Sequence, residues 1–122
     1  MDTLDLIKRN AEKLLKQIPE NVTLLAAAKT RSNEEVRAAF DAGIRCFGHN
    51  YVQEAQAMLP GLPFRADWHM IGHLQRNKAG AAVELFDMLE TLDSARLARE
   101  LEKQCARLNK IMPVLIEINS GR

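Results

Sequence analysis

The feature that most constrains this chain is an alternation of short, continuous apolar runs with amphipathic stretches, repeating about every 25 residues beyond Val22. Val22 to Lys29 is apolar without a break until its last residue, which suits a strand covered on both faces in a parallel sheet. Ser32, with Glu35 three residues on, opens a helix through a capping box, and Gly43 is placed to stop it. The same order returns four times. Strands are expected over 44–48, 67–74, 88–92 and 114–119. The helices between them cover 51–59 (ended by Pro60), 77–86 (weakened by Gly80), and a stretch capped by Asp93 or Ser94 with Leu97, Leu101, Cys105 and Leu108 on one face. A leading helix, 2–18, carries Leu4, Ile7, Ala11, Leu14 and Ile18 on one stripe and ends at Pro19.

A leading helix followed by βαβαβαβαβ describes one domain, residues 1–122, built on parallel strands with right-handed crossovers. Two architectures use this pattern. An open doubly wound sheet would carry G-x-G-x-x-G after its first strand, and no such motif is present there. The expected fold is therefore α/β, a parallel (β/α) barrel of the TIM type. A full barrel takes eight strands and about 250 residues. At 122 residues the chain is expected to be the N-terminal part, truncated after about five strands.

Composition excludes several partners. Lys and Arg number 17 against 16 Asp and Glu, and no basic block runs along any segment, so neither nucleic acid nor an anionic membrane has a footprint. The charged N-terminus is unlike a secretion signal and no apolar run is long enough to span a bilayer, so a cytoplasmic protein is expected. Cys46 and Cys105 follow no redox or zinc spacing and read as two reduced core thiols.

The polar residues that end the strands are Lys29, His49 with Asn50, His73 with Gln75, Asp93 and Asn119. In a barrel they share the carboxyl-end rim, where active sites of this fold are built. Strands also commonly end in polar residues for the sake of loops and caps. Lys29 has the same two readings. Its stem can line the barrel end while the ammonium reaches water, or Leu25 and Ala27 can lower its pKa from about 10.4 toward neutrality and make it a Schiff-base nucleophile. Small Ala26, Ala27 and Ala28 would leave room for a ring. Arg76 and Lys78, at a helix start, could hold an anion or be solvated surface charges. His69 and His73 invite a metal, but four residues along a strand span about 13 Å, too far for one ion. No metal is expected, and His69 reads as a hydrogen-bonded core or rim histidine.

AAAKT at 26–30, FGHNYVQEA at 47–55, WHMIGHLQRNK at 68–78 and VLIEINSGR at 114–122 together resemble the pyridoxal phosphate homeostasis protein family. That family consists of single-domain barrels similar to the N-terminal domain of alanine racemase. The resemblance implies pyridoxal 5'-phosphate (PLP) as cofactor, bound as a Schiff base on Lys29, with Asn50 beside it and His69 lining the same pocket. It implies a role in vitamin B6 and amino-acid homeostasis without robust turnover. The family has Glu where this chain has His49, and it draws its phosphate-gripping serine, glycine and arginine from later strands. PLP binding is therefore expected to be weak, since charge-assisted hydrogen bonds contribute about 1.5–3 kcal/mol each. Open edges at the first and fifth strands are expected to drive self-association or complementation by a C-terminal barrel piece. The alternatives are a fragment that only assembles with another chain, and a Schiff-base carbonyl lyase.

Overall fold

The computed structural model describes residues 2–118. Helix α1 (Thr3–Gln17) precedes five strands joined by four helical connections: β1 (Leu25–Ala27), α2 (Asn33–Asp41), β2 (Cys46–His49), α3 (Val52–Met58), β3 (Asp67–Met70), α4 (Ala79–Leu85), β4 (Met88–Leu92), α5 (Ala95–Leu108) and β5 (Val114–Ile116). Short 3-10 turns, Leu59–Gly61 and Arg76–Lys78, follow α3 and precede α4.

All five strands are parallel, and they lie side by side in chain order. A doubly wound sheet reverses its strand order at a switch point, which places helices on both faces. Here every crossover steps the same way, and crossovers of one hand then put every helix on one face. The sheet is α/β of the barrel kind.

Local chemistry accounts for the elements. Both halves of the capping box form at α2: Ser32 Oγ accepts from Glu35 N at 3.1 Å, and Glu35 accepts from Ser32 N at 2.9 Å. Gly43, at φ 119°, takes the left-handed turn after α2. Ser94, not Asp93, caps α5 through Leu97 N, and Asn109 ends that helix at φ 51°. Lys110 Nζ donates to the Val83 and Phe86 carbonyls at the end of α4, at 2.6 and 2.8 Å, satisfying oxygens that the helix leaves unpaired.

Strand alternation then divides the sheet. Phe47, His49, Trp68, Met70, Leu89 and Thr91 turn toward the helices, and each is 8% exposed or less. Phe47, Trp68, Met70 and Leu89 meet Val36, Val52, Ala55, Ala82, Val83 and Leu101 in one core. The opposite face carries Leu25, Ala27, Cys46, Gly48, Asp67, His69, Ile71, Met88 and Glu90, the set that strand register places together. No helix covers it. Of these residues Cys46 and Gly48 are buried, whereas Ala27 and Asp67 are exposed and the others are half-buried.

Several strands are shorter than the apolar pattern suggests. Val22 is exposed and the ladder begins only at Leu25, because β1 is an edge strand with a partner on one side. β3 stops at Met70 rather than Leu74, where Gly72 brings the chain against Asn50. The last strand ends at Ile116, and Asn119 lies outside the described residues.

Candidate functional site

The carboxyl end of β1 builds the first part of the site. Ala28 is buried and still pairs with β2, donating from N to the Gly48 carbonyl at 2.8 Å. The chain then turns: Arg31 N reaches back to the Ala28 carbonyl at 3.0 Å, and Thr30 sits at φ 60°, an unusual conformation for a β-branched residue. Lys29, two residues beyond the end of β1, is left exposed. The apolar enclosure expected from Leu25 and Ala27 is not formed, since Ala27 is itself exposed and Leu25 half-buried. Arg31 is engaged by Glu35 at 3.2 Å.

Asn50, immediately after β2, is half-buried. Its position is set by Gly72: a Cβ there would collide with the Asn50 carbonyl oxygen and lie 2.8 Å from its Cα. Ile71 N also donates to the His49 carbonyl at 2.9 Å. The ends of β2 and β3 are thus held together backbone to backbone.

His49 and Asn50 are neighbours in sequence but do not share a face. His49 is 1% exposed and stacks on Trp68, with ring centres 5.6 Å apart. Neither of its nitrogens has a hydrogen-bond partner, and Glu54 Oε1 lies 4.0 Å from Nδ1. Burial pushes the imidazole below its ordinary pKa, more than Glu54 raises it. A cavity of about 260 Å³ lies beside it, lined by Thr30, Arg31, Asn33 and Glu54. His49 therefore belongs to the helix layer and not to the open rim.

His69 is on the open face, at the level of Ala27 and Gly48. Its Nδ1 is 2.6 Å from Glu90 Oε2, and its Nε2 is 3.0 Å from Asp67 Oδ2 and 3.5 Å from Cys46 Sγ. Burial alone would lower this histidine, yet the hydrogen bonds to Glu90 and Asp67 outweigh it and raise its pKa. Cys46 is pushed up to about 12 by burial and by Asp67, Glu90 and Asp87. Both cysteines are free.

The expected rim continues in part. His73 is exposed and pairs with Asp93 at 3.2 Å, beside a cavity of about 240 Å³ that Arg76 and Ser94 also line. Arg76 and Lys78 form a single 3-10 turn rather than the first turn of a long helix. Strand register sets Ala27, Gly48 and His69 side by side on the open face, and Lys29 and Asn50 each follow two residues beyond Ala27 and Gly48, past the ends of their strands. It adds Cys46, Asp67 and Glu90, which sequence spacing did not single out. Strand alternation marks Asp67 and His69 as sharing a face, but only the register between strands brings in the other two.

The alanine racemase N-terminal domain family matches residues 3–122. The pyridoxal phosphate homeostasis protein of Vibrio alginolyticus is 35% identical, over 94% of this chain and 56% of its own length. That of Pasteurella multocida is 39% identical, over 93% of this chain and 51% of its own. The chain spans about half the length of the curated relatives it matches. Among solved structures, PipY of Synechococcus elongatus with PLP bound superposes with a TM-score of 0.86 at 38% identity, covering 93% of this chain and 55% of that one. Alanine racemase of E. faecalis gives 0.76 at 17% identity, over 98% of this chain and 34% of that one, a likeness of fold.

Proposed function

Because the chain belongs to the alanine racemase N-terminal domain family, we propose that it binds PLP on the open face of its sheet, held by Lys29 as a Schiff base. The observation that carries this reading is the placement of Lys29, an exposed primary amine at the carboxyl end of a parallel strand beside the small Ala27. The relatives named for PLP homeostasis and the PLP-bound PipY structure support the choice of ligand.

The residues present fit the aldehyde end of such a group. An amine stands beyond the small Ala27, the Leu25 and Ile71 side chains close over Gly48, and the backbone of Asn50 is held by the approach of Gly72. When bound, PLP supplies an aldehyde, an electrophile toward an unprotonated amine. Lys29 would hold the group covalently through Nζ, exchanging the C=O bond for a C=N bond with release of water. Asn50 contributes a neutral donor and acceptor beside Lys29. His69 shapes the floor one layer below, with both ring nitrogens taken by carboxylates. The chain acts as a cofactor carrier in vitamin B6 and amino-acid balance. Its two free thiols suit the cytosol, and no helix among the described residues is long and apolar enough to cross a membrane.

The open face also favours assembly. Val114, Leu115 and Ile116 are 38–72% exposed on the edge strand β5, a surface suited to a second copy or to further barrel strands. A concentration-independent monomer in size-exclusion chromatography would overturn that part.

The cofactor test is a titration with PLP, followed by borohydride reduction and peptide mapping. A visible imine band and label on Lys29, lost in Lys29→Ala, are expected. Label scattered over other lysines, or none, rejects the reading in favour of a fragment that only assembles. Turnover of a sugar phosphate or keto acid through Lys29 would instead indicate a lyase.

A further inference from the structure

Cys46 and Asp67 face each other directly in the register of β2 and β3, and His69 follows two residues along the same face of β3. Their ligating atoms all lie within 4.8 Å of one another. Zinc takes sulfur at about 2.3 Å, imidazole nitrogen at about 2.0–2.1 Å and carboxylate oxygen at about 2.0–2.2 Å, in a tetrahedron. Those bond lengths imply a sulfur-to-nitrogen edge of about 3.5 Å and a nitrogen-to-oxygen edge of about 3.3 Å. The distances here are 3.5 Å from Cys46 Sγ to His69 Nε2 and 3.0 Å from His69 Nε2 to Asp67 Oδ2. One separation matches a metal tetrahedron's edge and the other lies about 0.3 Å short of one, and the exposed Asp67 side chain can move to open it and set the third.

The surroundings match a metal site as well as the ligands do. A ligating histidine ordinarily gives its other ring N–H to a carboxylate, which fixes the tautomer and turns the second nitrogen to the ion. Glu90 does this at His69 Nδ1, at 2.6 Å. Asp67, Glu90 and Asp87 add negative charge around Cys46, the charge a divalent cation would neutralise. A donor set of one sulfur, one nitrogen and one oxygen suits zinc over magnesium or calcium, which take oxygen ligands.

We propose that Cys46, Asp67 and His69 form a mononuclear zinc site with its fourth position open on the uncovered face of the sheet, oriented by Glu90. Zinc takes the place of the Cys46 thiol proton and of the proton between His69 Nε2 and Asp67, both released to solvent. The site lies below the level of Lys29 and does not require the cofactor.

Cobalt(II) and zinc(II) are the probes. Cobalt added to the reduced, metal-free protein is expected to bind one to one, with a thiolate charge-transfer band in the near ultraviolet and intense visible bands of a tetrahedral ion. Zinc should displace it. Cys46→Ser should abolish the charge-transfer band, and Asp67→Asn should weaken zinc at least tenfold. Glu90→Gln should keep the band and weaken zinc by about 10–100-fold, the usual effect of removing an orienting carboxylate. Cys105→Ser should leave the cobalt spectrum unaltered, and Lys29→Ala should leave that spectrum unaltered while it removes the PLP label, which separates failure of this site from failure of the PLP reading. Unchanged cobalt spectra in Cys46→Ser, loss of the band in Cys105→Ser, or no one-to-one complex would each overturn the proposal. Circular dichroism of the metal-free variants establishes that each is folded, and exposed Asp67 is the position least able to disturb the fold.

Discussion

The two faces of the sheet are made by alternate residues of the same strands, yet they are different materials. Toward the helices stand Phe47, Trp68, Met70 and Leu89, each 6% exposed or less. On the other side Ala27, Asp67, His69 and Glu90 reach solvent in varying degree, and every ionisable group of the His69 cluster lies there. One face concentrates apolar burial, and the other concentrates charge and reactive side chains. Stability and chemistry are therefore separable in this chain at the resolution of single residues.

The sharpest attempt to break that separation is Phe47→Ala. Phe47 is 1% exposed and stacks on Trp68 with ring centres 5.2 Å apart. Losing it should cost about 3–5 kcal/mol in urea unfolding. Truncating half-buried Leu25 on the open face should cost about 1 kcal/mol, in proportion to the smaller area it removes from water. Equal costs would mean that the open face is covered in solution.

Gly72→Ala comes next, because it acts on both faces at once. The new methyl meets the backbone of Asn50, which cannot yield as a flexible side chain would. A cost of about 1–3 kcal/mol is expected, together with weaker PLP labelling as Asn50 is displaced. Normal labelling with a normal urea midpoint would show that Asn50 needs no such tether.

His49 supplies the pH-dependent member of the series. Its folded pKa lies below the ordinary 6.5, through burial. Well above pH 6.5 both states are neutral there and the residue contributes no pH dependence. As pH falls from 6.5 toward the lowered folded value the unfolded chain takes up the proton first, so stability declines. Glu54 and Arg31 are the charged groups lining the same cavity. His49→Phe keeps a ring against Trp68 and removes the orphaned nitrogens. The difference between the urea midpoints of wild type and variant should widen between about pH 7.5 and about pH 5. A constant difference would place His49 in contact with solvent.

What was legible in the sequence follows the same division. Helix signals are local, so Ser32 with Glu35, Gly43 and Ser94 stand where their side chains suggest. The barrel-type order was legible because strand and helix alternate without a dinucleotide motif. Strand ends were not, since Val22 looks apolar enough to pair but lies beyond the reach of β2, and Gly72 stops β3 through a contact with another strand. Lys29 was visible as the charge closing an apolar run. His49 was misplaced because polarity at a strand end does not say which face it takes. The cluster of Cys46, Asp67, His69 and Glu90 was hidden for a related reason: it draws on three strands, and His69 with His73 offered a more obvious pair within one.

Lys29→Ala should have the smallest effect on folding and is the strictest test of the comparison. The side chain is exposed, and none of the described hydrogen bonds or ion pairs uses its amine, so its loss should change stability by less than about 0.5 kcal/mol. The turn that presents it is built from backbone, Arg31 N to the Ala28 carbonyl, and survives the substitution. PLP trapped by borohydride should nevertheless vanish from the 26–30 peptide while cobalt binding at Cys46 is unchanged. A fall in stability comparable with that of Phe47→Ala would show Lys29 to be a structural residue, and the division between the two faces would fail at the position where the proposed chemistry depends on it most.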